Sequence, residues 1–254
     1  MLNLNIFAKS KIMSKLPLLL VLVAALIVPS LAEAQFNQDG SVTIYKRDFQ
    51  YGASLHTRGF SVNTRYTKDI IYGKKKQWEF DFVTSMKHPQ EYKERSGTRK
   101  PFVFGKLNSM SILRASYGRQ RVLADYINSL SVRVNLHYSL GVNVGLLKPI
   151  YYFEVNAEDP NEPVKFNSNK HFYATDFEGA APWSRGLNEL GFRPGLSGKL
   201  ALSFEWGKQD DRFKSLETGI MADVYGQRLP IMAFTDNDFA YINIYAALMI
   251  GNRW

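Results

Sequence analysis

Between Leu130 and Leu146 every second residue is apolar: Leu130, Val132, Val134, Leu136, Tyr138, Leu140, Val142, Val144 and Leu146. The positions between them carry Arg133, Asn135, His137, Ser139, Gly141, Asn143 and Gly145. A helix turns once in 3.6 residues and would scatter this pattern over its whole surface, whereas a strand sends alternate side chains to opposite faces. The segment is therefore a strand with one aliphatic and one polar face.

Seven further stretches sort the same way. In Arg47–His56, Phe49, Tyr51, Ala53 and Leu55 oppose Asp48, Gln50, Ser54 and His56. In Phe60–Lys68, Phe60, Val62, Thr64 and Tyr66 oppose Ser61, Asn63, Arg65 and Thr67. Trp78, Phe80, Phe82 and Met86 oppose Glu79, Asp81 and Ser85 in the third. The fourth, Phe104–Tyr117, is less regular: Leu107, Leu113, Ala115 and Tyr117 oppose Asn108, Arg114 and Ser116, with Ser109 and Ser111 on the apolar side. After the strand described above as the fifth, the sixth sets Leu200, Leu202, Phe204 and Trp206 against Lys199, Ser203 and Glu205. The seventh sets Leu216, Ile220, Ala222 and Val224 against Glu217, Gly219 and Asp223. The eighth runs to the carboxyl terminus, with Ile242, Ile244, Ala246, Leu248 and Ile250 against Tyr241, Asn243, Tyr245 and Gly251.

At the other end, Lys9, Lys11 and Lys15 precede the apolar stretch Leu16–Val28, and Pro29-Ser-Leu-Ala-Glu-Ala34 follows with a small-x-small pattern. This is the layout of a secretory signal peptide, residues 1–34, cleaved after Ala34. The remaining 220 residues (254 − 34) suit one domain with a net charge of about +7 (9 − 3 + 1). No cysteine is present, so disulfides hold nothing together, and no later segment is apolar over 18 residues. Export, the absence of cysteine and 14% aromatic residues leave a periplasmic β protein, such as a sandwich or lipocalin-like barrel, or an outer-membrane barrel.

Connection lengths favour the barrel, which joins its strands by short periplasmic turns and longer outside loops. With both termini inside, the outside connections are Thr57–Gly59, Lys87–Val103, Lys148–Gly198 and Gly226–Asp238, and the inside ones are Asp69–Gln77, Gly118–Ser129 and Lys208–Phe213. Three of the four outside connections exceed every inside one. The spacing predicts an all-β chain: an eight-stranded antiparallel transmembrane β-barrel over 35–254 with a long outside loop at 148–198. In that loop Trp183–Leu190 suits one or two helical turns, while Pro160, Pro163, Pro182 and Pro194 argue against regular structure elsewhere.

Eight strands enclose little more than side chains. The inward rows place Asp48, Glu79, Asp81, Glu205, Glu217 and Asp223 beside Arg65, Arg114, Arg133 and Lys199, with His137 among them. Buried charges persist when paired, so these residues are expected to form a salt-bridge network that plugs the lumen, with a narrow ion path as the alternative. A lipid A-modifying barrel enzyme would need a nucleophile, a base and an acid near the outer rim. Ser54, His56 and Asp48 or Glu79 are the nearest set, and no nucleophile motif supports them. Neither a metal-ligand spacing nor a nucleotide loop is present, so no cofactor and no metal are expected.

The basic excess clusters in one outside loop, with Lys87, His88, Lys93, Arg95, Arg99 and Lys100, and in the inside turn Lys74-Lys75-Lys76. Such charges are commonly just solvated; the functional alternative for the outside cluster is lipopolysaccharide phosphate or a protein partner. Export argues against nucleic acid.

Several patches resemble a group of outer-membrane β-barrel proteins of Bacteroidota-type bacteria, of the small eight-stranded OmpA- and OmpX-like architecture. They are Lys106-Leu107-Asn108, Gly118-Arg-Gln-Arg-Val-Leu-Ala124, Gly145-Leu-Leu-Lys-Pro149, Pro194-Gly195 with Lys199, Pro230-Ile-Met232 and Ile244–Trp254. The resemblance implies an outer-membrane location and brings no catalytic residues. Within the last strand Tyr245, Leu248, Ile250 and Trp254 resemble the signal read by the outer-membrane insertion machinery. The expected role is structural or interactive, for example as an accessory subunit of an outer-membrane assembly or secretion machine.

Overall fold

The computed structural model describes residues 46–95, 100–126, 132–155, 162–206 and 212–254. The signal peptide and its cleavage after Ala34 lie outside them. Eight long strands form the body: β1 (Arg47–His56), β2 (Gly59–Ile71), β3 (Lys74–Met86), β4 (Asn108–Ala124), β5 (Arg133–Pro149), β6 (Gly191–Trp206), β7 (Arg212–Tyr225) and β8 (Ala240–Arg253). Each pairs antiparallel with the next, and β8 closes on β1 from Asp48↔Arg253 to His56↔Tyr245, so the sheet is a closed meander without a free edge. Closure leaves the sheet no unpaired edge strand, which hydrocarbon surroundings demand.

The two faces fall as the alternation predicts. Outward residues such as Leu140 (77% exposed) and Leu248 (64%) form an apolar exterior, while Arg65, Glu79 and Glu217 are 0–1% exposed inside. A water-soluble protein distributes these types the other way round. This inversion is that of a barrel immersed in lipid. Among the described residues no helix is long and apolar enough to cross a membrane.

The strand boundaries correct the sequence reading in several places; Gly59, expected in a connection, already opens β2, and Arg212 and Phe213, expected in the last inside turn, belong to β7. Met86, expected on the lipid face, is 1% exposed and points inward, because the β3–β4 register shifts between Val83 and Met86 and moves the chain onto the other phase. Strand β4 starts at Asn108 rather than Phe104 and continues through Gly118 to Ala124; Phe104 and Leu107 pack outside the barrel wall. Lys74–Gln77 belong to β3, and the inside turn is only Tyr72-Gly73. Strand β6 begins at Gly191 and includes Pro194, so the outside loop spans 150–190. Pro194 pairs with Val144 of β5, but the ladder to β7 starts only at Gly195, so the proline lies beyond one of its two ladders. The fifth strand starts at Arg133, and Leu130 lies outside the described residues.

Tight curvature shows at Gly141 of β5. A Cβ there would lie 2.2 Å from the Ala115 carbonyl oxygen and 2.6 Å from Ser116 Cα, both backbone atoms of β4. Gly141→Val is expected to destabilise the barrel by about 1–3 kcal/mol through overpacking, read as a lower urea midpoint after refolding. A midpoint equal to that of the parent would mean the wall relaxes freely at this point.

The end bearing the termini and short turns is called the inner end, and the end bearing the long loops the outer end. At the outer end the 150–190 loop forms a three-stranded sheet of Tyr151–Glu154, Val164–Lys165 and Phe177–Ala180. The helical turn expected within Trp183–Leu190 is a 3-10 turn at Leu187–Glu189.

Candidate functional site

The lumen is layered from the inner end outward. At the inner end Lys75 Nζ lies 2.5 Å from Asp48, to which Thr67 also donates at 3.0 Å. Arg253 pairs with Glu205 and lies 3.8 Å from Asp48. Arg133, at the rim, pairs with Asp125 at 2.8 Å and lies 3.9 Å from Glu205. Tyr126 donates its phenol to Glu205 at 2.7 Å.

The middle layer is a quartet of opposite charges. Arg65 reaches Glu79 at 3.0 Å and Glu217 at 2.7 Å, and Lys199 pairs with Glu79 and, at 2.9 Å, with Glu217. Arg65 and Glu79 are register neighbours, whereas Lys199 and Glu217 come from β6 and β7 on the opposite wall. The quartet therefore ties the two walls together across the bore. Tyr245 donates to Glu217 at 2.6 Å, and its ring lies 4.9 Å from Lys199 Nζ. His137 packs alongside: Nδ1 is 2.9 Å from Gln77 Oε1 and Nε2 is 2.8 Å from Ser203 Oγ. The amide oxygen can only accept, so Nδ1 carries the proton and Nε2 accepts from the serine. Above the quartet Arg114 forms a two-pronged pair with Asp223 at 2.6 and 2.7 Å, and Asn143 donates to Asp223 at 2.8 Å. Asp81 faces Arg114 in register.

All eleven lumen residues expected from the sequence thus lie in or at the mouth of the bore. Lys75, Arg253 and Gln77 join them with the parity of their inward neighbours, and Ser203 and Asn143 of the polar rows support them. With those two bases, Asp48, Glu79, Asp81, Glu205, Glu217 and Asp223 face Arg65, Lys75, Arg114, Arg133, Lys199 and Arg253, and Asp69 and Asp125 add acids beside Lys75 and Arg133 at the inner mouth.

Toward the outer end the bore turns apolar. Val83, Met86, Met110, Ile112, Leu147, Tyr225 and Tyr241 line it, and Leu229, Ile231 and Met232 of the β7–β8 connection pack among them. Asn237 fixes that connection: its Oδ1 accepts from Ile231 N at 2.9 Å and Met232 N at 3.0 Å, and its Nδ2 donates to the Met232 carbonyl at 2.8 Å. The result is a hydrophobic plug above the charge layers.

Outside the plug, three connections share a second core of Phe102, Tyr152, Phe166, Phe177 and Ala233, with Phe104 against it. The Tyr152 and Phe177 ring centroids lie 4.9 Å apart, and the Tyr152 phenol is 2.6 Å from the Lys106 carbonyl. His171, 4% exposed, packs its ring 4.6 Å from that of Phe177. No periodicity in the sequence marks this cap.

The Ser–His–acid set is not assembled. Ser54 is bonded to Ser61, and neither ring nitrogen of His56 has a partner among the described residues. Asp48 lies six residues from Ser54 on the same strand, about 20 Å away at strand rise, and is held by Lys75; Glu79 is held by Arg65 and Lys199. Among the described residues no group of three His, Cys, Asp or Glu side chains is placed to hold a metal.

Of the outer basic cluster, Lys87, Lys93, Arg95 and Lys100 are exposed, and Arg99 lies outside the described residues. His88 is instead buried, accepting from Gln90 N through Nδ1 at 3.3 Å. Burial, and then the charge of Arg58, hold its imidazole below the ordinary histidine range and so neutral at neutral pH. On β8, Leu248 and Ile250 face outward and Trp254 ends the chain beside Tyr66, whereas Tyr245 belongs to the lumen.

No family model matches the chain, and no characterised protein matches it in sequence. Among solved structures it is similar to Neisserial surface protein A, at a TM-score of 0.44 and 8% identity over 85% of this chain and 100% of that one. It is also similar to Ail, the attachment invasion locus protein of Yersinia pestis, at a TM-score of 0.40 and 11% identity over 83% and 100%. The barrel rests on its own closed register rather than on these likenesses.

Proposed function

We propose that the chain is a non-enzymatic outer-membrane barrel that works as an interaction protein through its outer cap. The observation that carries this reading is the contrast between a bore filled with matched charges under a hydrophobic plug and a cap with a core of its own. A sealed bore leaves the loops as the working surface. The cap presents Tyr92, Tyr173 and Trp183, each at least 70% exposed, as well as Phe172 and Phe234. Aromatic side chains of this kind anchor protein interfaces. The exposed Lys87, Lys93, Arg95 and Lys100 suit the phosphates of surrounding lipopolysaccharide, and the outward Leu248 and Ile250 with Trp254 suit recognition by the insertion machinery.

Affinity purification of tagged protein from cross-linked native membranes tests the role. A co-purifying outer-membrane protein that is lost from a Tyr173→Ala/Trp183→Ala variant is the expected result; recovery as a free monomer alone would argue against an assembly role. The ion-path alternative is read in planar bilayers. Current is expected to stay at baseline for the parent and for Arg114→Leu, and discrete conductance steps in the parent would overturn the sealed bore.

A further inference from the structure

The inner rim carries a second pattern, on its outward face. Phe49, Tyr66, Trp78 and Tyr117 stand side by side in register on β1, β2, β3 and β4. The ring centroids of Tyr66 and Trp78 are 5.6 Å apart, and those of Trp78 and Tyr117 are 5.5 Å apart. Two residues nearer the inner end on each strand the same register runs Arg47↔Lys68, Lys68↔Lys76 and Lys76↔Arg119, with Lys74↔Arg121 one step beyond. All six bases are exposed, and none has an acidic partner among the described residues. The acids of these strands, Asp48, Asp69, Glu79 and Asp81, belong to the inward rows.

Like charges directly opposite one another destabilise a sheet pair. Here four follow in sequence along a row about 14 Å long, at the ordinary strand spacing. The unbroken row ends at β4: on β5 the register partners of Arg119 and Arg121 are Tyr138 and Leu136, and the exposed Arg212 and Lys214 of β7 face Asn252, Ile250 and Trp206 rather than further bases. An arc of unneutralised bases immediately below an aromatic row, itself below an apolar wall, lies where phosphate groups meet acyl chains in a bilayer.

We propose that the arc formed by Arg47, Lys68, Lys76 and Arg119, with Lys74 and Arg121, is a binding face for anionic phospholipid headgroups in the leaflet at the inner end of the barrel. The phosphates neutralise the row, and the aromatic rings seat the glycerol and upper acyl region. The proposal rests on the barrel lying in a bilayer.

The test uses the full mature protein refolded into phosphatidylcholine vesicles containing brominated phosphatidylglycerol, or brominated phosphatidylcholine at the same mole fraction. Trp183→Phe and Trp206→Phe leave Trp78 and Trp254, both in or beside the aromatic row, as reporters. Brominated phosphatidylglycerol is expected to quench them with an apparent affinity about fivefold or more above that of brominated phosphatidylcholine, and half-molar salt is expected to remove most of the difference. Lys68→Gln/Lys76→Gln/Arg119→Gln is expected to bring the ratio to about one, while the charge-keeping Lys68→Arg/Lys76→Arg retains it. Inorganic phosphate at matched ionic strength is expected to leave the preference intact; its abolition would make the row a general anion patch and overturn the lipid assignment. Equal quenching of the parent by both lipids keeps the barrel in the bilayer and overturns the headgroup face. Quenching by neither places the protein outside the bilayer and removes both readings.

Discussion

Arg65→Met is expected to lower the stability of the refolded barrel by about 3–5 kcal/mol, the cost of leaving a buried charge without its partner. Glu79 and Glu217, both at 0% exposure, would then have Lys199 as their one shared cation. The effect comes from the stranded carboxylate rather than from any large net worth of the pair, since charges brought out of water recover in attraction roughly what desolvation cost them. A second substitution separates the two contributions. Arg65→Met/Glu217→Gln restores neutrality around Lys199 and Glu79, and it is expected to regain at least half of the loss. Urea midpoints in lipid vesicles, read from heat-modifiable migration, supply both values. An unchanged midpoint for Arg65→Met would show that the quartet fills the bore without stabilising it.

That quartet illustrates which parts of the molecule are legible in its sequence. The inward placement of Arg65, Glu79, Lys199 and Glu217 follows from period-two alternation, a local property readable within each strand. Their pairing does not, because Arg65 meets Glu217 across 152 residues of chain and the bore has to close before the two are neighbours. The same boundary between local and long-range information recurs elsewhere in the chain. Alternation alone puts Met86 on the lipid face, because a bulge changes the phase of a strand without changing the composition around it. Pro194 reads as a loop residue because proline removes a ladder donor, but where one ladder has not yet begun that loss is harmless. The cap was invisible because Phe102, Tyr152, Phe166 and Phe177 show no shared period; they become a core only when separate connections meet. The basic arc lay half hidden for a similar reason. Lys74-Lys75-Lys76 reads as a charge run, yet alternation sends Lys75 inward to Asp48 and its two neighbours outward to the rim.

The cap and the barrel wall are stabilised by different contacts, so they should fail separately. Phe177 is fully buried, and its ring contacts those of Phe102, Tyr152, Phe166 and His171. Phe177→Ala removes the ring they share, and truncations of this kind cost about 3–5 kcal/mol where the site cannot collapse. None of those contacts is a barrel wall residue, and the charge layers lie beneath the separate plug of Leu229, Ile231 and Met232. The loss should therefore fall on the cap alone, opening the 150–190 loop to protease at Lys165, Lys170 or Arg185 while the eight strands keep their heat-modifiable migration. The expected signature is cleavage at least about tenfold faster than in the parent, since 1.4 kcal/mol of local opening already accounts for that factor when closing outpaces cutting. Leu229→Ala, aimed at the plug, should shift the urea midpoint of the barrel more than it exposes the loop. If Phe177→Ala instead abolished barrel migration, the cap would have to be folded before the wall can close.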